Sequence, residues 1–176
     1  MAKVKICRLF STDELIKGAE NIAFEIFHFR SFAVLKNSRE LRTICPAATQ
    51  AIGYALLLHL RVLMEFFYCE PEQHDDCRVV HFRVLPSFMT AFPPDIHERT
   101  SHTDEVTRYL NKRLAHFTAT RWEEHRPAWD YYDEYSPLIE KLATRFEGAL
   151  QTDVKAAYDR GQRMWLHHSP TVRKLG

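Results

Sequence analysis

The chain has 176 residues, of which 45% are hydrophobic and 27% are charged, and it contains 5 glycines. A chain of this length commonly forms one domain with a single core, and this composition is typical of a packed helical protein rather than a disordered one. The net charge of +1 excludes the strong overall positive field of many nucleic-acid-binding proteins. The first residues lack the apolar core and cleavage site of a secretory signal, so we expect a cytoplasmic protein.

The cysteines and glycines exclude several common kinds of site. No two cysteines have CxxC spacing, and in a reducing compartment we expect free thiols. The glycines are too scattered to form a phosphate-binding loop, and the chain has no nucleophile-elbow motif. We therefore expect no cofactor. The four cysteines are Cys7, Cys45, Cys69 and Cys77.

The first predicted element is a helix that begins at Ser11 or Thr12 and runs toward Lys36. Either hydroxyl can cap the helix, and the two acidic residues that follow lie in the first turn, where the helix dipole favours negative charge. Apolar residues then recur at alternating spacings of four and three, which predicts a buried seam. The seam comprises Leu15, Ala19, Ile22, Ile26, Phe29 and Ala33.

The most apolar stretch, residues 46–68, predicts a central helix of roughly 35 Å that begins at Pro46. His59, Arg61 and Glu65 interrupt its apolar half, which argues against a membrane span and for a core helix. The helix has two apolar stripes, so we expect it to be covered on both sides, the second side by another helix or by a second copy in a homodimer. One stripe comprises Ile52, Ala55, Leu56, His59, Leu63 and Phe66, and the other Tyr54, Leu57, Leu58, Arg61, Glu65 and Tyr68.

Residues 69–102 show no long periodicity and predict a connector with one short helix near residues 77–84. A second strong helix is predicted over residues 103–124, with Val106, Leu110, Leu114 and Phe117 as its buried stripe and Arg113 among them.

The acidic, aromatic segment before Ser136 predicts another connector, and Ser136 with Pro137 predicts the start of the next helix, which buries Leu138, Leu142 and Phe146. Thr152 can cap a last helix that buries Val154, Ala157, Tyr158, Gly161 and Trp165. Residues 169–176 predict a frayed tail. The expected fold is an all-α, single-domain bundle of five or six helices over residues 1–176.

Two groups of residues are candidates for chemistry. Cys69, His74, Cys77 and His81 belong to the ligand classes of tetrahedral zinc, although their C-x4-H-x2-C-x3-H spacing is not that of a standard zinc finger. The alternative is a plain connector in which Asp75 or Asp76 caps a helix, and this alternative is favoured, so no metal is expected.

The other group consists of arginine and histidine residues on the two strong helices, above all Arg113 and His116. An arginine that stabilises a phosphorane and a histidine that moves a proton would suffice for metal-independent RNA cleavage. In the favoured alternative, Arg113 pairs with Glu65, Asp75 or Asp76 across the bundle, and His59 is a neutral, hydrogen-bonded core residue. We expect the pocket of greatest functional interest at the place where Arg61 and Glu65 could meet Arg113 or His116.

Three blocks, YALLLHLRVLMEFFY, HDD and LNKRLAHFTATR, resemble an uncharacterised family of small bacterial all-helical proteins over residues 45–125. The resemblance implies that a set of polar residues recurs in the family, and it implies no activity. That set is His59, Arg61, Asp75, Asp76, Asn111, His116 and Thr118.

The chain also resembles, more weakly, the HEPN-type helical bundles, many of which are ribonucleases. Their signature is an arginine followed after four to six residues by a histidine, usually with a polar residue directly after the arginine. Arg163 and His168 have this spacing, but Met164 follows the arginine. The sequence therefore predicts a helical protein with a binding or structural role, and a HEPN-like endoribonuclease or a small zinc protein is the alternative.

Overall fold

The structure, a computed structural model, describes residues 8–69, 73, 76–86, 88–92, 103, 105–110 and 128–168. Within these ranges the chain is helical and contains no strand, which confirms the predicted all-α class. The buried apolar side chains of these ranges form one contiguous core. The α-helices are α1 (Thr12–Lys36), α2 (Arg39–Ile44), α3 (Pro46–Tyr68), α4 (Phe88–Ala91), α5 (Ala128–Ala149) and α6 (Thr152–His168), and a 3₁₀ helix spans Val79–Val84.

Helix α1 begins where its capping residues predict. The Ser11 hydroxyl accepts a hydrogen bond from the backbone N–H of Glu14 (3.3 Å), and the Glu14 carboxylate accepts one from the backbone N–H of Ser11 (2.9 Å). This reciprocal pair satisfies two amide groups that would otherwise lack a partner at the helix start. Five of the six residues of the predicted seam are buried, and the last, Ala33, is half-buried.

Helix α3 has the predicted bounds and begins with Pro46 in its first turn. Its second stripe is only partly covered, because Leu57 is 1% exposed whereas Tyr54 and Leu58 are 48% and 42% exposed. Within the single chain this part of the helix is therefore not fully covered, and cover by a second copy stays a prediction. The helix is long and apolar enough to cross a membrane, but half of its most apolar 18-residue window is buried inside the molecule, as in the core helix of a globular protein.

The predicted connector contributes to the core. Where one short helix was expected, the described part of residues 69–102 contains the 3₁₀ helix and α4. Their aromatic side chains pack edge-to-face against Phe146 of α5, with ring centroids 5.1 Å away for Phe82 and 5.7 Å away for Phe88. Burial of these rings stabilises a segment that has no long periodicity of its own. Of the predicted helix 103–124, residues 103 and 105–110 are described and helical, and Val106 and Leu110 are buried.

The predicted start of α5 at Ser136 and Pro137 is wrong. Pro137 does not start it but lies inside it, and the acidic segment expected as a connector forms its first half. A proline inside a helix removes one hydrogen bond and crowds the preceding turn. Here Pro137 is on the exposed side, so the buried stripe continues past it in helical register. The stripe comprises Tyr131, Tyr135, Ile139, Leu142 and Phe146, whereas Leu138, predicted as buried, is 46% exposed.

Helices α1 and α6 form the most extensive helix–helix contact among the described elements. Both helices have small buried residues, namely Ala19 and Ala23 on α1 and Ala157 and Gly161 on α6. A Cβ atom added at Gly161 would lie 2.7 Å from the backbone oxygen of Glu20. The backbones can therefore approach closely only because this position is glycine.

Candidate functional site

Of the polar groups of α3 that the sequence singles out, His59 lies where α3 faces α1. His59 donates a hydrogen bond from Nδ1 to the Glu25 carboxylate of α1, with a distance of 2.7 Å between Nδ1 and Oε2. The two side chains are 16% and 22% exposed. His59 therefore has a partner within the fold, and the pair links α1 to α3 in a partly dehydrated setting, where such a bond is stronger than in water.

A second histidine lies against this pair. The rings of His28 and His59 are nearly parallel, with an angle of 13° and a centroid distance of 5.3 Å. Phe24 and Phe32, one turn of α1 on either side of His28, flank the two imidazoles at centroid distances of 4.3 to 6.0 Å. Burial, and then the charge of the neighbouring His59, lower the pKa of His28. His28 is thus held in its neutral form near pH 7.

Arg61 and Glu65 form a chain of charges with the segment before the 3₁₀ helix. Nε of Arg61 donates to Oε1 of Glu65 at 3.2 Å, one helical turn away. The other oxygen of Glu65 lies 4.0 Å from Nη2 of Arg78, which is also 3.4 Å from the Asp76 carboxylate. Two arginines and two carboxylates therefore alternate along this edge and balance each other's charge.

A hydrogen bond between backbone and side chain orients His81 in the segment of residues 77–81. The backbone N–H of Arg78 donates to Nδ1 of His81 at 2.9 Å, so the hydrogen of this imidazole is on Nε2. His81 is 2% exposed, and its buried Nε2 has no hydrogen-bond partner among the described residues. Burial lowers the pKa of His81 and raises the pKa of the Cys77 thiol to about 11. Both groups are therefore neutral near pH 7, and Cys77 is a poor nucleophile.

A cleft of about 180 Å³ lies between α1, α3 and this segment. Ile22, Val62 and Phe66 provide its apolar wall. Its ionisable groups are Glu25 on one element and Arg78 on another, together with the neutral Cys77 thiol. One acidic and one basic residue therefore line the same cleft as three apolar side chains.

The structure brings some of the predicted site residues together and leaves others apart. His59 pairs with Glu25, which the sequence analysis does not single out, whereas Arg61 pairs with Glu65. Among the described residues, the charge that reaches Glu65 from outside α3 is that of Arg78, which is also absent from the prediction. The predicted residues Asp75, Asn111, Arg113, His116 and Thr118 lie outside the described residues.

The zinc hypothesis involves residues that the structure describes and one that it does not. His74 lies outside the described residues, and Cys69, Cys77 and His81 lie within them. In the part of the chain that the structure describes, no group of three or more His, Cys, Asp or Glu side chains could hold a metal ion. A buried thiol whose pKa is raised is also a weaker zinc ligand than an ordinary one, because the thiolate is the form that binds.

A periodic signal points to the residues that the sequence analysis missed. Phe24, His28 and Phe32 are spaced by four, and Glu25 follows the first of them, so one side of α1 combines aromatic rings with two polar groups. This pattern is weak, because it does not indicate the partner on α3. Arg78 has no comparable signal.

Comparison of the chain with family models, curated proteins and solved structures finds no match.

Proposed function

We propose that this protein is a cytoplasmic binding and structural protein rather than an enzyme, and that it pairs with a second copy of itself through the exposed stripe of α3. The observation that carries the proposal is the exposure of Tyr54 and Leu58 in the most apolar helix of the chain.

Support for a role without catalysis comes from the ionisable groups of α3 and of the residues that contact them. The His59 imidazole bonds to Glu25, Arg61 bonds to Glu65, and Arg78 lies between two carboxylates. Each of these groups has a partner of opposite charge or a hydrogen-bond partner within the fold. An acid, base or nucleophile must instead face a substrate.

Support for a second copy as the partner comes from the composition of the exposed stripe. Tyr54 and Leu58 are one turn apart, and Ala47 and Ala51 precede them on the same side as small, exposed residues. The Arg61–Glu65 pair follows with no net charge. An uncharged, apolar stripe complements itself, and the same stripe from a copy related by a twofold axis can cover it. The chain's net charge of +1 gives less support to RNA as a partner.

The experiment measures the mass of the wild-type protein and of two variants by sedimentation equilibrium. We expect the wild-type protein at twice the chain mass of 20.8 kDa, and Leu58→Glu at the chain mass, because a carboxylate in the apolar stripe would be buried without a partner. Leu138→Glu is the matched control, since Leu138 is similarly exposed (46%) on α5, and it should behave as wild type. A monomeric wild type, or dissociation by Leu138→Glu alone, would contradict the proposal.

Two further measurements separate the proposal from its alternatives. A wild-type protein that sediments with neutral phospholipid vesicles, and stays monomeric without them, would assign the stripe to a membrane. RNA cleavage by the wild-type protein that is lost in His116→Ala would favour the HEPN-like enzyme.

A further inference from the structure

We propose that the cleft between α1 and α3 binds a small apolar α-amino acid, with the ammonium group of the ligand at Glu25 and its carboxylate at Arg78. The site goes beyond the proposed dimer, because neither Tyr54 nor Leu58 lines the cleft.

Two opposite charges line the cleft without pairing with each other. Glu25 and Arg78 both contribute to its wall, and their ion pairs are made elsewhere, by Glu25 with His59 and by Arg78 with Glu65 and Asp76. A molecule that carries both a positive and a negative group could therefore contact the two residues from within the cleft.

Each charge has bonding capacity left. The Glu25 carboxylate binds His59 through Oε2, and its other oxygen has no hydrogen bond to the described residues. Arg78 meets its carboxylates through Nη2 at 3.4 and 4.0 Å, distances that are long for a bidentate guanidinium–carboxylate pair. A ligand carboxylate can therefore approach the guanidinium at shorter range than either protein carboxylate does.

The charges select against ligands that carry only one charge. Glu25 repels an anion and Arg78 repels a cation, and a neutral ligand would remove water from both groups without replacing it. A zwitterion supplies a partner for each. Ile22, Val62 and Phe66 add an apolar wall to the same cleft, which suits a ligand with an apolar side chain next to its two charges.

The size of the cleft limits the ligand further. Its volume of about 180 Å³ is below the range of roughly 300–1,000 Å³ that drug-sized ligands occupy. A free amino acid is of suitable size, whereas a nucleotide or a peptide of several residues is too large.

The experiment titrates the full-length protein with alanine, leucine, methionine and phenylalanine by isothermal calorimetry. The two single-charge analogues of leucine, isopentylamine and 4-methylpentanoate, are titrated in parallel. We expect at least one amino acid to bind, and each leucine analogue to bind at least about tenfold more weakly than leucine, since loss of one charged partner leaves its protein group unpaired. No binding by any of the four amino acids, or equal binding by either analogue, would overturn the proposal.

Two variants place the binding in this cleft. Arg78→Gln removes the guanidinium, and Val62→Phe fills the cleft while it leaves both charges in place. Each should weaken binding at least about tenfold, and a circular dichroism melt verifies that each variant is folded. Arg39→Gln on the exposed surface of α2 is the matched control and should bind as wild type. Unchanged binding in both cleft variants would overturn the assignment to this site, and the dimer proposal would still stand.

Discussion

Thr152 is under backbone strain. Within the described part of the chain it is the one residue other than glycine with a positive φ, at 51°, a conformation that costs an L-residue roughly 1–2 kcal/mol. Thr152 is exposed, so glycine can replace it without loss of packing. We expect Thr152→Gly to raise the free energy of unfolding by about 0.5–1 kcal/mol, as measured by urea denaturation.

Thr49 provides the matched control for Thr152, because it lies in α3 with an ordinary negative φ. Thr49→Gly should lower the free energy of unfolding by about 0.3–1 kcal/mol, since glycine has a lower helix propensity than threonine and the Thr49 hydroxyl no longer donates to the Cys45 carbonyl. If the two substitutions change stability in the same direction, the strain at Thr152 is not what limits stability there.

Residue-scale predictions from the sequence succeed where the signal is local. Ser11 and Pro46 mark the starts of α1 and α3 because capping and first-turn geometry depend on only the next few residues. His59 was expected to be a hydrogen-bonded core residue, and it does have a partner, but Glu25 lies on another helix. A sequence pattern cannot show which of the chain's many carboxylates folds against that ring.

At the scale of elements, Gly161 determines how closely α1 and α6 approach. A methyl group at this position would lie 2.7 Å from the Glu20 oxygen and 3.0 Å from Cβ of Ala23, and neither atom belongs to a flexible side chain. We expect Gly161→Ala to lower the free energy of unfolding by about 1–3 kcal/mol, because the helices must move apart, as measured by thermal and urea denaturation.

Gly148 supplies the opposite case on the neighbouring helix. It lies in α5, is exposed, and has no atom within 4 Å of the place where a Cβ would be. Gly148→Ala should therefore raise stability by about 0.5 kcal/mol through helix propensity alone, the lower end of the range for a helix interior, because Gly148 is the next-to-last residue of α5. Equal effects of the two substitutions would show that close packing at Gly161 does not matter.

Helix α5 shows where sequence reasoning fails at this scale. Local chemistry predicts a break at Ser136 and Pro137, and tertiary packing overrides it. The buried tyrosines before Pro137 continue the stripe of Ile139 and Leu142 after it, and burying one continuous stripe outweighs one missing hydrogen bond. The exposure of Leu58 likewise cannot be predicted from the sequence, because apolar residues recur on both sides of α3.

For the whole molecule, two neutral histidines make the fold sensitive to acid. His28 and His81 both have pKa values lowered by burial, so the unfolded chain binds protons more readily than the native chain. Their contribution to stability is complete above the ordinary histidine pKa of about 6.5 and is lost as the pH falls through the lowered native values. We expect the urea midpoint to fall between about pH 7.5 and pH 5.5.

The variant His28→Phe tests the source of this sensitivity. The ring remains among Phe24, Phe32 and His59, but the titrating group is gone. The midpoint should then change less over the same pH range than it does in the wild-type protein. An equally steep decline in the variant would assign the acid response to other groups.

The contact between α1 and α6 joins two segments that are far apart in the sequence, since α1 ends at Lys36 and α6 begins at Thr152. During synthesis on a ribosome, the apolar seam of α1 emerges early and lacks its principal partner until α6 has also left the exit tunnel. In that interval a chaperone or another nascent chain can occupy the seam. Slow translation near the last helix would lengthen this exposure, and the yield of native protein in the cell would then depend on elongation speed as well as on stability.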